Sequence, residues 1–219
     1  MPHVPRPPLS PNLPRLYAIV DTDACERAGR APLDVARAYL SAGARLLQLR
    51  CKSWGSGAFL DLAQAMAEES RHAGATFVVN DRADVAALCG AQGLHLGQDD
   101  LTPPDARRVV GTEMMLGLST HSRKQWERAV EEPIHYIAIG PVFGTNTKET
   151  GYTPVGLETV TAAATAAEMR ALPAVAIGGI TLENAHSVID AGARSVAIIS
   201  ELLRGDPEVR CRAFLTKLA

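Results

Sequence analysis

Short apolar runs without polar alternation recur along the chain, beginning with Leu16 to Val20 (LYAIV). Strands with one wet face would alternate, so uninterrupted runs fit parallel strands buried on both faces. Further runs of this kind lie at Arg45–Arg50, Thr76–Asn80, Gly93–Leu96, Met114–Leu118, Tyr136–Ile139, Ala174–Ile177 and Ser195–Ile199. Between them the apolar spacing turns helical. Pro32 opens a helix that Gly43 ends, and Phe59–Ala73, Ala83–Leu88, the segment after Pro103, Arg123–Glu131, Val155–Met169 and Leu182–Asp190 follow. The remainder to Leu218 reads as helix. The phrases SAGAR, HAGAT and DAGAR, at Ser41, His72 and Asp190, each place glycine where a helix stops and the next strand starts.

Eight strand–helix alternations without a break in composition predict parallel βαβ units in one domain. The expected fold is α/β, a (β/α)₈ TIM barrel over residues 15–219, preceded by a flexible proline-rich arm at 1–14. An open doubly wound sheet is the alternative, weakened by the lack of GxGxxG after the first strand. Composition changes little. The chain has 219 residues, 47% hydrophobic and 21% charged, which is ordinary for a globular domain. A formal net charge of -2 offers no attraction to nucleic acid or an anionic membrane. No apolar run is long enough to cross a bilayer, and the start lacks the apolar core of a signal peptide. Four scattered cysteines without CxxC pairing fit a reduced cytoplasm. An apolar outer helix face would allow a homodimer.

In a barrel the C-terminal strand ends converge on one face. Strand two ends in Gln48, Arg50 and Lys52, strand three in Asn80, Asp81 and Arg82, strand four in Gln98, Asp99 and Asp100. Ser119 and His121 follow strand five, Gly178 and Gly179 strand seven, Ser200 strand eight. After strand six runs a long polar loop holding Thr145, Asn146, Thr147 and Lys148, donors and one cation suited to a phosphorylated ligand. Asp81 and one of Asp99 or Asp100 sit on neighbouring strands about 5 Å apart. Two carboxylates so close repel unless a cation lies between them, and oxygen ligands alone favour Mg²⁺. Pairing with Arg82 and Arg50 as structural salt bridges is the competing reading. Arg50 and Lys52 leave their strand on one side with Cys51 on the other, and a diphosphate would serve both cations. Gly178-Gly179, before a helix starting near Thr181, reads as an anion site. Ser119 and His121 lack an acidic orienter, so Ser119 is better read as a phosphate donor than as a nucleophile. His95 reads as a satisfied core residue, and Trp54, Phe59 and Trp126 as packing.

The ordered set QLRCK, NDR, HLGQDD, LGLSTHS, GPVFGTNTK, AIGGIT and AIIS, spanning about residues 15 to 203, resembles the thiamine phosphate synthase family. The resemblance implies a (β/α)₈ barrel that uses Mg²⁺ and two small phosphorylated substrates. A hydroxymethylpyrimidine diphosphate would join a thiazole phosphate, or its carboxylated form, releasing pyrophosphate. It also implies roles. Gln48, Arg50 and Lys52 would bind the pyrimidine diphosphate, with Asn80 near the pyrimidine. Ser119 and Lys148 would hold the diphosphate, and Asp81 and Asp100 the Mg²⁺. Thr145, Asn146, Thr147, Gly179, Ile199 and Ser200 would meet the thiazole phosphate. Cys51 departs from the charged residue expected in QLRCK. The implied mechanism is dissociative, and needs no protein nucleophile. Alternatives are a thiazole phosphate tautomerase of the same family, a phosphosugar isomerase, and a phosphate-binding barrel without synthase activity.

Overall fold

The computed structural model describes residues 12–144 and 153–219. Its eight strands are β1 (Leu16–Asp21), β2 (Leu46–Arg50), β3 (Thr76–Asn80), β4 (Gly93–Leu96), β5 (Met115–Thr120), β6 (Tyr136–Ile139), β7 (Ala174–Ile177) and β8 (Ser195–Ile198). They pair in sequence order, all parallel, and β8 returns to β1 through Leu16↔Val196 and Ala18↔Ile198. The predicted (β/α)₈ barrel is the observed fold. Among the described residues the surrounding helices are α1 (Thr22–Arg27), α2 (Pro32–Ala42), α3 (Ser56–His72), α4 (Ala83–Cys89), α5 (Pro103–Val110), α6 (Arg123–Ala129), α7 (Gly156–Glu168), α8 (Ala185–Asp190) and α9 (Pro207–Lys217).

The uninterrupted apolar runs follow from two cores. Alternate residues such as Ile19, Leu46, Val78, Met115, Tyr136, Val175 and Ala197 fill the barrel. Their neighbours, among them Leu47, Leu49, Phe77, Val79, Leu94 and Leu116, pack outward under the helices. Both faces are dry, and each such side chain contributes about 1.5–3 kcal/mol on burial. Cys51 belongs to the outer layer, opposite the Arg50 side, as the alternation predicts. Tyr136 fills so much of the interior that its neighbour must be Gly117. A Cβ there would stand 2.0 Å from the Tyr136 ring.

The repeated helix-end glycines have the backbone they were expected to need. Gly43, Gly74 and Gly192 adopt φ of 110°, 65° and 102°, where a side chain would be strained. Three boundaries differ from expectation. The arm expected to run to residue 14 is anchored from Asn12 onward. Leu13 is buried in the interior cluster, and Arg194 Nε donates to its carbonyl at 3.0 Å and pairs with the Asn12 side chain. Apolar burial outweighs the prolines around it. Helix α1 was not foreseen, because one and a half turns are too short to show a period. Its signal is Asp21, whose carboxylate caps Ala24 N at 2.8 Å. Helix α8 begins at Ala185 rather than near Leu182. Thr181 N donates to Asn184 Oδ1 at 2.8 Å, a local bond that competes with helix formation.

Candidate active site

At the C-terminal mouth lies a cavity of about 630 Å³. Gln48, Asn80, His95 and Ser119 form part of its wall from β2, β3, β4 and β5. Gly140 contributes from the end of β6, Gly179 from the β7 turn, and Ile199 and Ser200 from the end of β8. Six of the residues assigned to the substrates therefore line one space: Gln48, Asn80, Ser119, Gly179, Ile199 and Ser200. Thr145, Asn146, Thr147 and Lys148 lie outside the described residues.

Beneath the cavity a line of polar groups crosses the barrel. Gln48 Nε2 donates to Tyr17 Oη at 2.7 Å, and Tyr17 Oη meets Tyr136 Oη at 3.1 Å. Tyr136 Oη meets His95 Nδ1 at 2.9 Å, and His95 Nε2 meets Ser119 Oγ at 2.8 Å. The imidazole stacks on the Tyr136 ring, with centroids 5.6 Å apart. His95 is satisfied, as expected, yet it also faces the cavity. Ser119 pairs with His95 rather than His121, whose Nδ1 binds Gly140 O at 2.6 Å. The group that His95 Nδ1 meets is the Tyr136 phenol, not the carboxylate of a Ser–His–Asp triad. Burial raises both tyrosines well above the ordinary phenol range, so each stays neutral.

The charged residues form the rim beside this cavity. Arg50 Nη1 pairs with Asp21 Oδ2, its register partner on β1, and Lys52 Nζ pairs with Asp81 Oδ2. Each of these cations holds a carboxylate here. The structural pairing anticipated for Asp81 is different, since Arg82 turns to Asp84, with Nε–Oδ1 2.8 Å. Between the two acidic candidates of strand four, Asp100 faces Asp81 while Asp99 is exposed. Asp100 Oδ2 accepts from Gly97 N at 2.7 Å, which turns its carboxyl inward. Burial, then the Asp100 carboxyl, push Asp81 up to about 6 against the pull of Lys52. Asp81 also sits at φ 66°, the left-handed region. Among the described residues no group of three or more His, Cys, Asp or Glu is placed to hold a metal.

The helix expected to start near Thr181 begins only at Ala185. Gly178 and Gly179, at φ 100° and 65°, let the β6 and β7 turns touch. A Cβ on Gly178 would stand 2.5 Å from Pro141, and one on Gly179 2.5 Å from Gly144 O. Val142 N and Phe143 N donate to Ile177 O and Gly178 O at 2.9 and 3.0 Å. The base of the long loop is thus fixed to the next strand end.

Sequence reasoning missed Asp21, Tyr17 and Tyr136. The list of strand ends began at strand two, and Asp21 ends strand one. The tyrosines lie inside apolar runs, where only knowledge of the neighbours distinguishes a packed ring from a hydrogen-bonding one. Arg27, on unforeseen α1, and Arg204 also reach the cavity, Arg204 bound to Glu201 at 2.9 Å.

A closed barrel with its cavity at the C-terminal strand ends is the architecture of the (β/α)₈ class. The family description "Thiamine monophosphate synthase" matches residues 16–202. A thiamine-phosphate synthase of Koribacter versatilis is 43% identical over 205 residues, covering 93% of this chain and 95% of its own. One from Thermus thermophilus is 42% identical over 210 residues, covering 94% and 98%. The solved thiamine phosphate pyrophosphorylase of Pyrococcus furiosus superposes with a TM-score of 0.83 at 26% identity, covering 93% and 96%. The chain belongs to the thiamine monophosphate synthase family, whose members are transferases of thiamine biosynthesis.

Proposed function

We propose that this chain joins 4-amino-2-methyl-5-hydroxymethylpyrimidine diphosphate to 4-methyl-5-(2-phosphoethyl)thiazole, or its carboxylated form, releasing pyrophosphate. The observation that carries this reading is the acid–cation cluster at the cavity rim. Asp81 and Asp100 face each other beside Lys52, two residues beyond Arg50 at the end of β2. Two opposed carboxylates in a half-buried place are costly without a cation, and two further cations beside them call for an anion of high charge. A metal diphosphate supplies both.

The carboxylates fit Mg²⁺, a hard ion commonly held by one or two acidic side chains with substrate phosphates completing its shell. Asp81 and Asp100 would hold it, and its chemistry there is to neutralise charge on the departing diphosphate. The protein's own groups do the rest. Lys52 and Arg50 exchange carboxylate for phosphate oxygens, Ser119 donates its hydroxyl proton, and Lys148 adds a charge from the long loop. Gln48 and Asn80 orient the aminopyrimidine. Gly179, Ile199 and Ser200, with Thr145, Asn146 and Thr147, take the thiazole phosphate on the opposite wall. The carbon–oxygen bond to the diphosphate breaks first, and the aminopyrimidine delocalises the cation left behind. The thiazole nitrogen then closes the new carbon–nitrogen bond. Positioning and fixed charge account for the rate, and no protein nucleophile is called for.

A thiazole phosphate tautomerase, or a barrel that only binds phosphates, has no use for the facing carboxylates. The test is pyrophosphate release from the purified protein, with each substrate alone and with both, with and without Mg²⁺. Release that depends on both substrates and on the metal is the expected result. Equal release without the thiazole phosphate, or after full chelation, overturns the proposal.

A further inference from the structure

The acidic and basic side chains that line the cavity are unevenly placed. Among the described residues they are Arg27, Glu201 and Arg204, and all three follow β8 or β1. Glu201 is buried and already holds two cations, Arg204 Nε at 2.9 Å and the Arg210 guanidinium. Arg27 differs. It stands in the last turn of α1, and its side chain makes no hydrogen bond or salt bridge among the described residues. The cavity therefore has one arginine whose charge is unanswered. A guanidinium gains most from an anion that it can meet with two N–H groups at once, a carboxylate or a phosphate.

The two forms of the proposed thiazole phosphate differ by such a group. The methyl and phosphoethyl substituents occupy two of the three ring carbons, so the carboxylate stands on the third, between nitrogen and sulfur. That carbon flanks the nitrogen that forms the new bond, and the methyl-bearing carbon flanks it on the other side. With the phosphate at Gly179, Ile199 and Ser200 and the pyrimidine at Gln48 and Asn80, the ring lies between the ends of β7 and β8 and those of β2 and β3. Two ways round the barrel join these walls. One passes β1, and so α1 with Arg27; the other passes β6 first, which lines the cavity with Ala138, Gly140 and Pro141. The cationic side suits the carboxylate and the apolar side suits the methyl group.

We propose that Arg27 is a specificity-determining residue that binds the ring carboxylate of the thiazole phosphate, so that this chain prefers the carboxylated form. This rests on the synthase reading and adds which of the two forms the site takes. It also gives α1 a purpose, since the short helix carries the arginine from the end of β1 to the cavity wall.

Calorimetric titration of each thiazole phosphate into the protein, without the pyrimidine, reads the preference apart from catalysis. The carboxylated form is expected to bind about tenfold more tightly, and Arg27→Gln to remove that advantage while affinity for the uncarboxylated form stays within about twofold. Arg27→Lys keeps the charge and is expected to retain part of the preference. Arg212→Gln removes the same charge from exposed α9, where it pairs with Glu208, and is expected to change neither affinity. Wild-type protein that binds both forms equally, or binds neither, overturns the proposal. So does an Arg27→Gln protein that loses affinity for both forms alike, since the arginine then serves the phosphate, or an Arg212→Gln protein that loses the preference as well. A preference that depends on Arg27 in a protein that releases no pyrophosphate supports the carboxylate site while overturning the synthase reading.

Discussion

The two ends of the barrel solve the burial of charge in opposite ways. At the N-terminal end Arg107 is 5% exposed and forms no salt bridge among the described residues, with the Glu113 carboxylate acting on it only at longer range. Its guanidinium donates to the carbonyls of Pro133 at 3.1 Å and Met114 at 2.6 Å, to those of Gly111 and Thr112, and to His135 Nδ1 at 3.0 Å. The same nitrogen accepts from Leu116 N at 2.9 Å. Burial, then the nearby Arg107 charge, hold His135 down at about 4. At the C-terminal end charge faces charge. Asp21, Arg50, Lys52, Asp81 and Asp100 lean on each other, with one carboxyl raised to about 6 and a backbone in the left-handed region. Fixed dipoles hold a charge permanently, whereas mobile counter-charges can be exchanged for a ligand's. The first arrangement builds a scaffold and the second leaves charges free to change partners.

The largest test of this contrast is Arg107→Met. It strips several buried carbonyls of their donor, and a loss of about 3–5 kcal/mol is expected in urea unfolding, with turnover per folded molecule unchanged. A loss below about 1 kcal/mol would make the lower end no more structural than the rim. The next test uses pH. Between about 4 and 6.5 the unfolded chain protonates His135 and the folded chain does not, so this histidine removes stability as pH falls, about 3 kcal/mol in all. Asp81 acts in the other direction. Between its ordinary 3.8 and about 6 the folded state holds the proton, so stability falls as pH rises through that window. The two slopes oppose one another in the parent protein, measured with chelator present. Asp81→Asn should expose the full acid loss from His135, and an unchanged pH profile would break the comparison. The smallest stability effect comes from the same variant at pH 7.5 without metal. Removing the raised carboxyl is expected to add about 1 kcal/mol, since Asn tolerates the left-handed backbone, while turnover drops about a hundredfold.

What the sequence made legible depended on how local the cause was. Strands buried on both sides write themselves as apolar runs, and helix ends at Gly43, Gly74 and Gly192 write themselves as glycines in the left-handed region. The cavity wall was legible for the same reason, because Gln48, Asn80 and Ser119 follow the alternation that points them inward. What stayed hidden was pairing. Nothing in LYAIVD says that Asp21 will lie beside Arg50, and nothing in HYIAI says that the Tyr136 hydroxyl will bridge Tyr17 and His95. Those contacts follow from closing the barrel, which brings β1, β4 and β6 around one interior. The helix start read after the glycine pair was displaced for a related reason. Gly178 and Gly179 are demanded by close contact with Pro141 and Gly144, a tertiary cause that resembles a helix-start signal when read alone.

Leu13 seals the lower end of the interior against Arg194, which is 181 positions away in the chain. The same junction pairs β1 with β8, so the first strand to leave the ribosome has one edge that only the last can cover. Vectorial synthesis therefore cannot finish this molecule piecemeal. Until residues near 200 emerge, β1 keeps an unpaired edge and the interior stays open below, and closure is a single late event joining the first and last barrel strands. A polypeptide stalled before β8 would be exposed at that edge, a demand on the folding machinery set by topology rather than by chemistry.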